Sequence, residues 1–166
     1  MITVYLSLGS NLGDKVDYIA KAIRHIKKII GVKFQRISSL YLTQPWGIDS
    51  NNEFVNCIVE IKTSLEAEEL HLLLKDIELK VGRKDFRQNR DREIDIDIIF
   101  YGNKIVNKKN LIIPHPRMHK RMFVLQPMMD LCADFRHPLL KKSIQELILL
   151  SEDYLKITKL NNVTVD

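Results

Sequence analysis

The chain has 166 residues, 45% hydrophobic and 28% charged, an ordinary soluble globular balance with enough apolar residues for a real core. No apolar run approaches the roughly 20 residues needed to span a bilayer, and Met1 to Gly9 enters a strand-like pattern with no basic leader, so neither a membrane nor a secretory role is expected. A formal net charge of +5 and a pI near 9.2 suit an anionic partner such as a nucleic acid, a nucleotide or a phosphorylated metabolite, although a basic solvated surface explains the charge equally well.

Residues 2 to 9 alternate, with Ile2, Val4, Leu6 and Leu8 on one face, and read as a strand. After the turn Gly9-Ser10-Asn11-Leu12-Gly13 the period changes. Val16, Ile19, Ala20, Ile23, Ile26 and Ile30 form a helical stripe that stops at Gly31, a favourable residue for ending a helix. Residues 32 to 43 read as a second strand, closed by Gln44-Pro45-Trp46-Gly47, and residues 54 to 62 as a third. Thr63-Ser64-Leu65-Glu66 fits a capping box, and the helix after it carries Leu70, Leu73, Leu74, Ile77 and Val81 before Gly82. A polar stretch from Arg83 to Glu93 precedes a fourth strand, Ile94 to Tyr101. The order β-α-β-β-α-β predicts an α+β fold with a ferredoxin-like, mostly antiparallel sheet.

Beyond Gly102 the pattern weakens. Short strands are expected near Lys104–Val106 and Leu111–Ile113, with a helix over roughly Lys120 to Leu131 interrupted by Pro127, and another over Ser143 to Leu150. Residues 161 to 166 read as frayed. Without repeats or linkers, residues 1–166 read as a single domain. Cys57 and Cys132 lack Cys-x-x-Cys spacing, which speaks against a disulfide framework or zinc knuckle and for a reducing cytoplasm.

Asp95 and Asp97 are two apart on the fourth strand, so their side chains leave one face while Ile94, Ile96 and Ile98 leave the other. Such carboxylates can converge on Mg²⁺, a hard cation that usually shares its shell with water and substrate phosphates. Two such ions can clamp the attacking and leaving oxygens of a phosphoryl transfer. Taken alone, the pair fits an exposed strand face more readily. Arg83, Lys84, Arg87, Arg90 and Arg92 lie just before it, and arginine forks match phosphate oxygens, so the combination favours a polyphosphate site.

The Gly9–Lys15 segment is not a P-loop, because the glycine spacing is short by one and Val16 stands where a Ser or Thr would bind metal. It reads as a tight turn. Phe54 and Asn56 share a strand face opposite Val55, Cys57 and Val59. Together they offer a stacking surface and an edge-binding amide to a flat heterocycle, and fit an ordinary half-buried pair just as simply. In the rigid segment Pro114 to Arg121, His115 and Arg121 are placed to reach a phosphate chain. His137 before Pro138 reads as supporting a turn.

Taken in order, several of these segments resemble the hydroxymethyl-dihydropterin pyrophosphokinase family of folate biosynthesis. They are Ser7-Leu8-Gly9-Ser10-Asn11-Leu12-Gly13, Tyr41-x-Thr43-x-Pro45-x-Gly47, Phe54-x-Asn56, Glu78-x-x-x-Gly82-Arg83, Arg92-x-Ile94-Asp95-Ile96-Asp97-Ile98 and Pro114-His115-Pro116-Arg117-Met118-x-x-Arg121-x-Phe123. Each is weak alone; their order is specific. The resemblance implies an α/β/α sandwich, two Mg²⁺ ions, and ATP binding before 6-hydroxymethyl-7,8-dihydropterin. By that resemblance Asp95 and Asp97 would hold the metals, with Asp95 also bordering the pterin, and Arg83 and Arg92 would stabilise the moving phosphates. Glu78, Ile98, His115 and Arg121 would contact ATP. Thr43, Asn56 and the backbone near Trp46 would read the pterin edge, and Phe54 and Phe123 would stack on its faces. A cytoplasmic monomer acting on small molecules, with no nucleic acid or membrane partner, is implied.

Two departures stand out. The family's usual Trp-Gly-Pro is Asn89-Arg90-Asp91 here, in a loop expected to act as a lid, and its Pro-Pro after the threonine is Gln44-Pro45. The alternatives are a small nucleotidyltransferase, which would also use an Asp-x-Asp strand and a basic lid, and an RNA-binding ferredoxin-like module.

Overall fold

The computed structural model describes the chain apart from residues 85, 86, 88, 89, 162, 164 and 166. In chain order the elements are β1 (Ile2–Ser10), α1 (Lys15–Ile26), β2 (Val32–Ile37), β3 (Tyr41–Thr43), β4 (Phe54–Thr63), α2 (Ala67–Val81) and β5 (Asp95–Tyr101). Then follow β6 (Val106–Lys108), β7 (Leu111–Ile113), a 3₁₀ turn (Met118–Lys120), α3 (Met122–Cys132), α4 (Ile144–Leu149) and β8 (Ile157–Lys159).

The strand order β5-β1-β4, with β2 on the far edge of β4, is the expected ferredoxin-like arrangement, and every described pairing is antiparallel. The same edge of β4 pairs first with β2 and then with β3, and β8 adds outside β3. Helices cover both faces. Val4, Leu6 and Leu8 of β1 pack with Ile19 and Ile23 of α1 and Leu70 and Leu74 of α2 on one side. Tyr5, Ile58, Ile99 and Phe100 pack with Val124, Leu125 and Met128 of α3 and Ile144 of α4 on the other. Both consequences follow from the period of two along each strand.

A bulge in the β1–β5 ladder, between Tyr5 and Leu6, changes that parity. Upstream of it Asp95 and Asp97 share a face; downstream Ile99 and Phe100 both turn towards α3 and α4, while Ile98 and Tyr101 stay in the α1–α2 core.

Several boundaries differ from expectation. The strand predicted over residues 32–43 is broken at Ser38–Leu40, where the Ser38 backbone N–H donates to Ile58 O at 2.9 Å and its Oγ accepts from Ile58 N at 2.9 Å. Helix α1 ends at Ile26, not Ile30. The chain tightens into bonds three residues apart, such as Lys28 N to His25 O at 3.0 Å, and this leaves Ile30 92% exposed. The capping box at Thr63 does not form, since Thr63 is drawn into β4 and its hydroxyl donates to Gly31 O at 3.1 Å; Glu66 is the N-cap, without a side-chain bond. The strand expected at 104–106 lies two residues later, and α3 starts after the 3₁₀ turn. Strand β8 has no counterpart in the sequence reading, and the frayed end expected over 161–166 lies partly outside the described residues. The helix expected at 143–150 forms as α4, with a true capping box between Ser143 and Glu146. Among the described residues, no helix is long and apolar enough to cross a membrane.

Candidate active site

A cavity of about 310 Å³ opens on the α3–α4 side of the sheet, where β1, β3, β4 and β5 run side by side. Asp95 and Asp97 of β5, Phe54 and Asn56 of β4, and Thr43 of β3 all line it. So do Arg83, Arg92, His115, Arg121, Trp46 and Phe123. The structure thus brings together residues spread from position 43 to position 123 of the chain.

One wall is polar and rigid. Asn56 Nδ2 donates to Thr43 Oγ1 at 2.7 Å, and both side chains are buried. Strand β8 braces Thr43 from outside, pairing Thr43 with Ile157. The departure at Gln44 contributes here: its backbone N–H donates to Lys156 O at 3.3 Å and its Oε1 accepts from Lys156 N at 3.0 Å. A proline could supply neither bond.

Aromatic rings carry guanidinium groups across the cavity. Arg121 lies over the Trp46 ring, 4.6 Å from its centroid, and 5.4 Å from that of Phe123. Arg92 lies 5.4 Å from the Phe54 centroid. Cation–π contact partly compensates these charges, yet the buried Nε atoms of Arg92 and Arg121 find no acceptor. Burial, then Arg117, lower the Arg121 pKa to about 10, so it remains a cation at neutral pH.

The opposite wall holds alternating charges. The left-handed Gly82 (φ 118°) ends α2 and turns the chain back, so that Arg83 N donates to Glu78 O at 2.9 Å. Arg83 then bridges Glu78 Oε2 and Asp95 Oδ1, each at 2.7 Å. Lys75, one helical turn before, reaches Glu78 Oε1 at 2.6 Å, Ile96 O at 3.1 Å and Asp97 Oδ1 at 3.7 Å. Arg92 approaches Asp95 Oδ2 at 3.4 Å. Burial works against the charge on Asp95, but Arg92, Lys75 and Arg83 outweigh it and hold the carboxyl below its ordinary value. For Lys75 burial is likewise overcome, by Asp97, Asp95 and Glu78, and its pKa rises. The His115 backbone N–H donates to Ile99 O at 3.1 Å, and burial, aided by Arg121 and Arg117 and opposed by Asp97, lowers the imidazole pKa below its ordinary value.

Two residues expected to touch ATP do not line the cavity with their side chains. Glu78 is 0% exposed and does not line the cavity; it accepts from Lys75, Arg83 and Ile96 N, the last at 2.7 Å. Burial pushes its carboxyl above the usual glutamate value, and Lys75 and Arg83 limit the rise. The Ile98 side chain belongs to the α1–α2 core, and Ile99 lines the cavity instead. Lys75 carries no signal in the sequence that marks it as a site residue. A lysine three residues before a glutamate on an amphipathic helix looks like a solvated pair until α2 is packed on β5.

The glycine turn after β1 is a clamp on Arg92. Asn11 N donates to Arg92 O at 3.1 Å, and Arg92 N returns a bond to Asn11 Oδ1 at 2.8 Å. Asp91, within the departing tripeptide, accepts from Asn11 Nδ2 and Asn52 Nδ2, both at 2.7 Å. Asn89, and the middle of the loop expected to act as a lid, lie outside the described residues.

Asp95 and Asp97 offer hard carboxylate oxygens to the same cavity, a donor set that fits Mg²⁺. Among the described residues, no three His, Cys, Asp or Glu side chains gather as a complete ligand set. Such a pair suits an ion that completes its shell with water and phosphate.

Comparison with known proteins identifies the family and the fold. Residues 5–133 match the family model described as 7,8-dihydro-6-hydroxymethylpterin-pyrophosphokinase. The chain is 39% identical over 146 residues to the 2-amino-4-hydroxy-6-hydroxymethyldihydropteridine pyrophosphokinase of Aquifex aeolicus, covering 88% of this chain and 90% of that protein. It is 35% identical over 161 residues to the enzyme of the same name from Haemophilus influenzae, covering 97% and 99%. The crystal structure of Plasmodium falciparum HPPK-DHPS with pteroate superposes with a TM-score of 0.73 at 17% identity, over 90% of this chain and 44% of that one. With the match spanning both walls of the cavity, the chain belongs to the 7,8-dihydro-6-hydroxymethylpterin-pyrophosphokinase family.

Proposed function

We propose that the cavity transfers the pyrophosphoryl group of ATP to the hydroxymethyl oxygen of 6-hydroxymethyl-7,8-dihydropterin, releasing AMP, as a step of folate biosynthesis. The observation that carries this is the pairing of opposite walls in one cavity. Asp95, Asp97 and the arginines suit a metal-bound polyphosphate, while Thr43, Asn56 and Phe54 suit a flat, polar-edged ring. The family match supports the reaction.

Asp95 and Asp97 would hold two Mg²⁺ ions, which would neutralise phosphate charge. Arg83, fixed between Glu78 and Asp95, and Arg92, whose main chain is held by Asn11, stabilise charge on the transferring group. Arg83 needs little reorganisation, whereas Arg92 must leave the face of Phe54; preorganisation and in-line positioning supply most of the catalysis in such transfers. His115 and Arg121 line the nucleotide side. Glu78 acts through Arg83 and Lys75, without reaching ATP itself, and Ile98 can offer only backbone. Asn56 and Thr43 bond the pterin edge, and Phe54 and Phe123 take its faces, displacing the guanidinium groups of Arg92 and Arg121 that lie there without ligand. No side chain is required as a strong base.

A single domain acting as a monomer is part of this reading, and Cys57 and Cys132, both without a disulfide, suit a reducing cytoplasm. Two acids facing the cavity disfavour a nucleic acid backbone. Incubation with ATP, Mg²⁺ and the pterin alcohol, followed by chromatography, tests the reaction. AMP and pterin diphosphate in equal amounts support it; pterin-dependent pyrophosphate release instead identifies a nucleotidyltransferase.

A further inference from the structure

Three carboxylates, Glu78, Asp95 and Asp97, stand among three cations, Lys75, Arg83 and Arg92, at the base of the cavity. The pairing is uneven. Arg83 and Arg92 both serve Asp95, at 2.7 and 3.4 Å, and Arg83 also serves Glu78. Asp97 has Lys75 at 3.7 Å, with His115 beyond at 4.0 Å. Lys75 is itself held in place, by Glu78 Oε1 at 2.6 Å and by Ile96 O at 3.1 Å, the carbonyl between the two metal-facing aspartates.

From this we infer that Lys75 is a resident counter-cation for Asp97, a positioning residue that makes divalent-metal binding depend on the nucleotide. The inference rests on Asp95 and Asp97 being the metal ligands. In the free protein the acid pair is already neutralised, so a bare divalent ion meets a lysine charge instead of an open anionic site. A triphosphate brings several negative charges, reverses the local balance and supplies the oxygens that a two-carboxylate set lacks. The charge of Lys75, close to Asp97 and half-shielded from water, is enough to shift metal affinity by about tenfold. Glu78 supplies the fixed end of this device. It buries one carboxylate under Lys75 so that the ammonium group stays aimed at Asp97.

Mn²⁺ binding measured by electron paramagnetic resonance tests this on the whole chain. Lys75→Gln removes the charge while keeping a donor for Glu78, and Lys75→Arg keeps the charge. Without nucleotide, K75Q is expected to bind Mn²⁺ about tenfold more tightly than wild type, and K75R to resemble wild type. With saturating α,β-methylene-ATP the difference between K75Q and wild type should shrink. Circular dichroism and thermal melting verify that both variants fold. Equal or weaker Mn²⁺ binding by folded K75Q, or binding by K75R as tight as by K75Q, overturns the role of Lys75. If wild type also forms AMP from ATP and pterin, the proposed reaction survives that result. Absence of Mn²⁺ binding even with the nucleotide analogue overturns the metal assignment and this inference together.

Discussion

Asn56 and Thr43 sit diagonally across the β3–β4 ladder, and the 2.7 Å bond from Asn56 Nδ2 to Thr43 Oγ1 fixes the amide within the cavity wall. One end of the amide is thereby tied to the sheet, which sets its orientation for a ring edge. Asn56→Ala is expected to raise the pterin KM by roughly tenfold or more, the cost of an unpaired buried polar group. Equilibrium titration with the ATP analogue should show nucleotide affinity nearly unchanged, and steady-state kinetics with varied pterin checks the rest.

Gly9 faces the same amide from β1. A Cβ built there would lie 2.5 Å from Asn56 Oδ1, closer than any real contact allows. Gly9→Ala is therefore expected to push Asn56 off its bond to Thr43, weakening pterin binding much as Asn56→Ala does. Overpacking should also cost about 1–3 kcal/mol of stability, measurable by urea denaturation.

Glu78 has both oxygens engaged and no exposure, so its removal strands Arg83 and Lys75. Glu78→Ala should destabilise the fold by roughly 3–5 kcal/mol, the usual consequence of breaking a buried charge pair from one side. Glu78→Gln keeps the packing and one acceptor, and should lose much less. Catalysis should fall in both through misplacement of Arg83, seen in kcat more than in pterin KM.

Asp97→Ala tests the acid pair itself. AMP formation should fall by roughly 10²–10³-fold, as for losing a preorganised electrostatic element. The melting temperature should hold, because the Asp97 side chain is partly exposed and its contacts to Lys75 and His115 are long. Near-normal AMP formation by Asp97→Ala would remove Asp97 from the reaction.

His137 offers a test of the second core. Its Nδ1 accepts from the backbone N–H groups of Leu139 and Leu140, both at 3.2 Å, and burial, aided by His119, lowers its pKa from 6.5 to about 4. The unfolded chain gains this proton near pH 6.5, before the folded one does, so stability is full above that pH. It declines as pH falls towards about 4. The loss should amount to about 2–3 kcal/mol. His137→Asn retains an acceptor for the turn, and its melting temperature should fall less between those pH values.

Much of the site was legible because strands expose their chemistry at a period of two. The alternations at Ile94–Ile98 and Phe54–Val59 put the acid pair, the ring and the amide on the faces that line the cavity. Less was legible wherever tertiary contacts decide. Strand β8 is a three-residue element that exists only because β3 offers an edge. The bulge at Ile99 leaves no mark in an unbroken apolar run. Glu78 reads as a helix-surface acid until α2 docks on β5 and buries it, and for the same reason Lys75 reads as solvated. The capping box at Thr63 failed because β4 claimed that residue first.

One cavity is proposed to hold triphosphate and pterin on opposite walls, and a crystal structure with α,β-methylene-ATP, Mg²⁺ and 6-hydroxymethyl-7,8-dihydropterin is the decisive test. Density for the phosphates should lie over Asp95 and Asp97, with the bicyclic ring against Phe54 and its edge on Asn56 and Thr43. A ring bound elsewhere, or phosphates without contact to either aspartate or its metal, would rule out this arrangement.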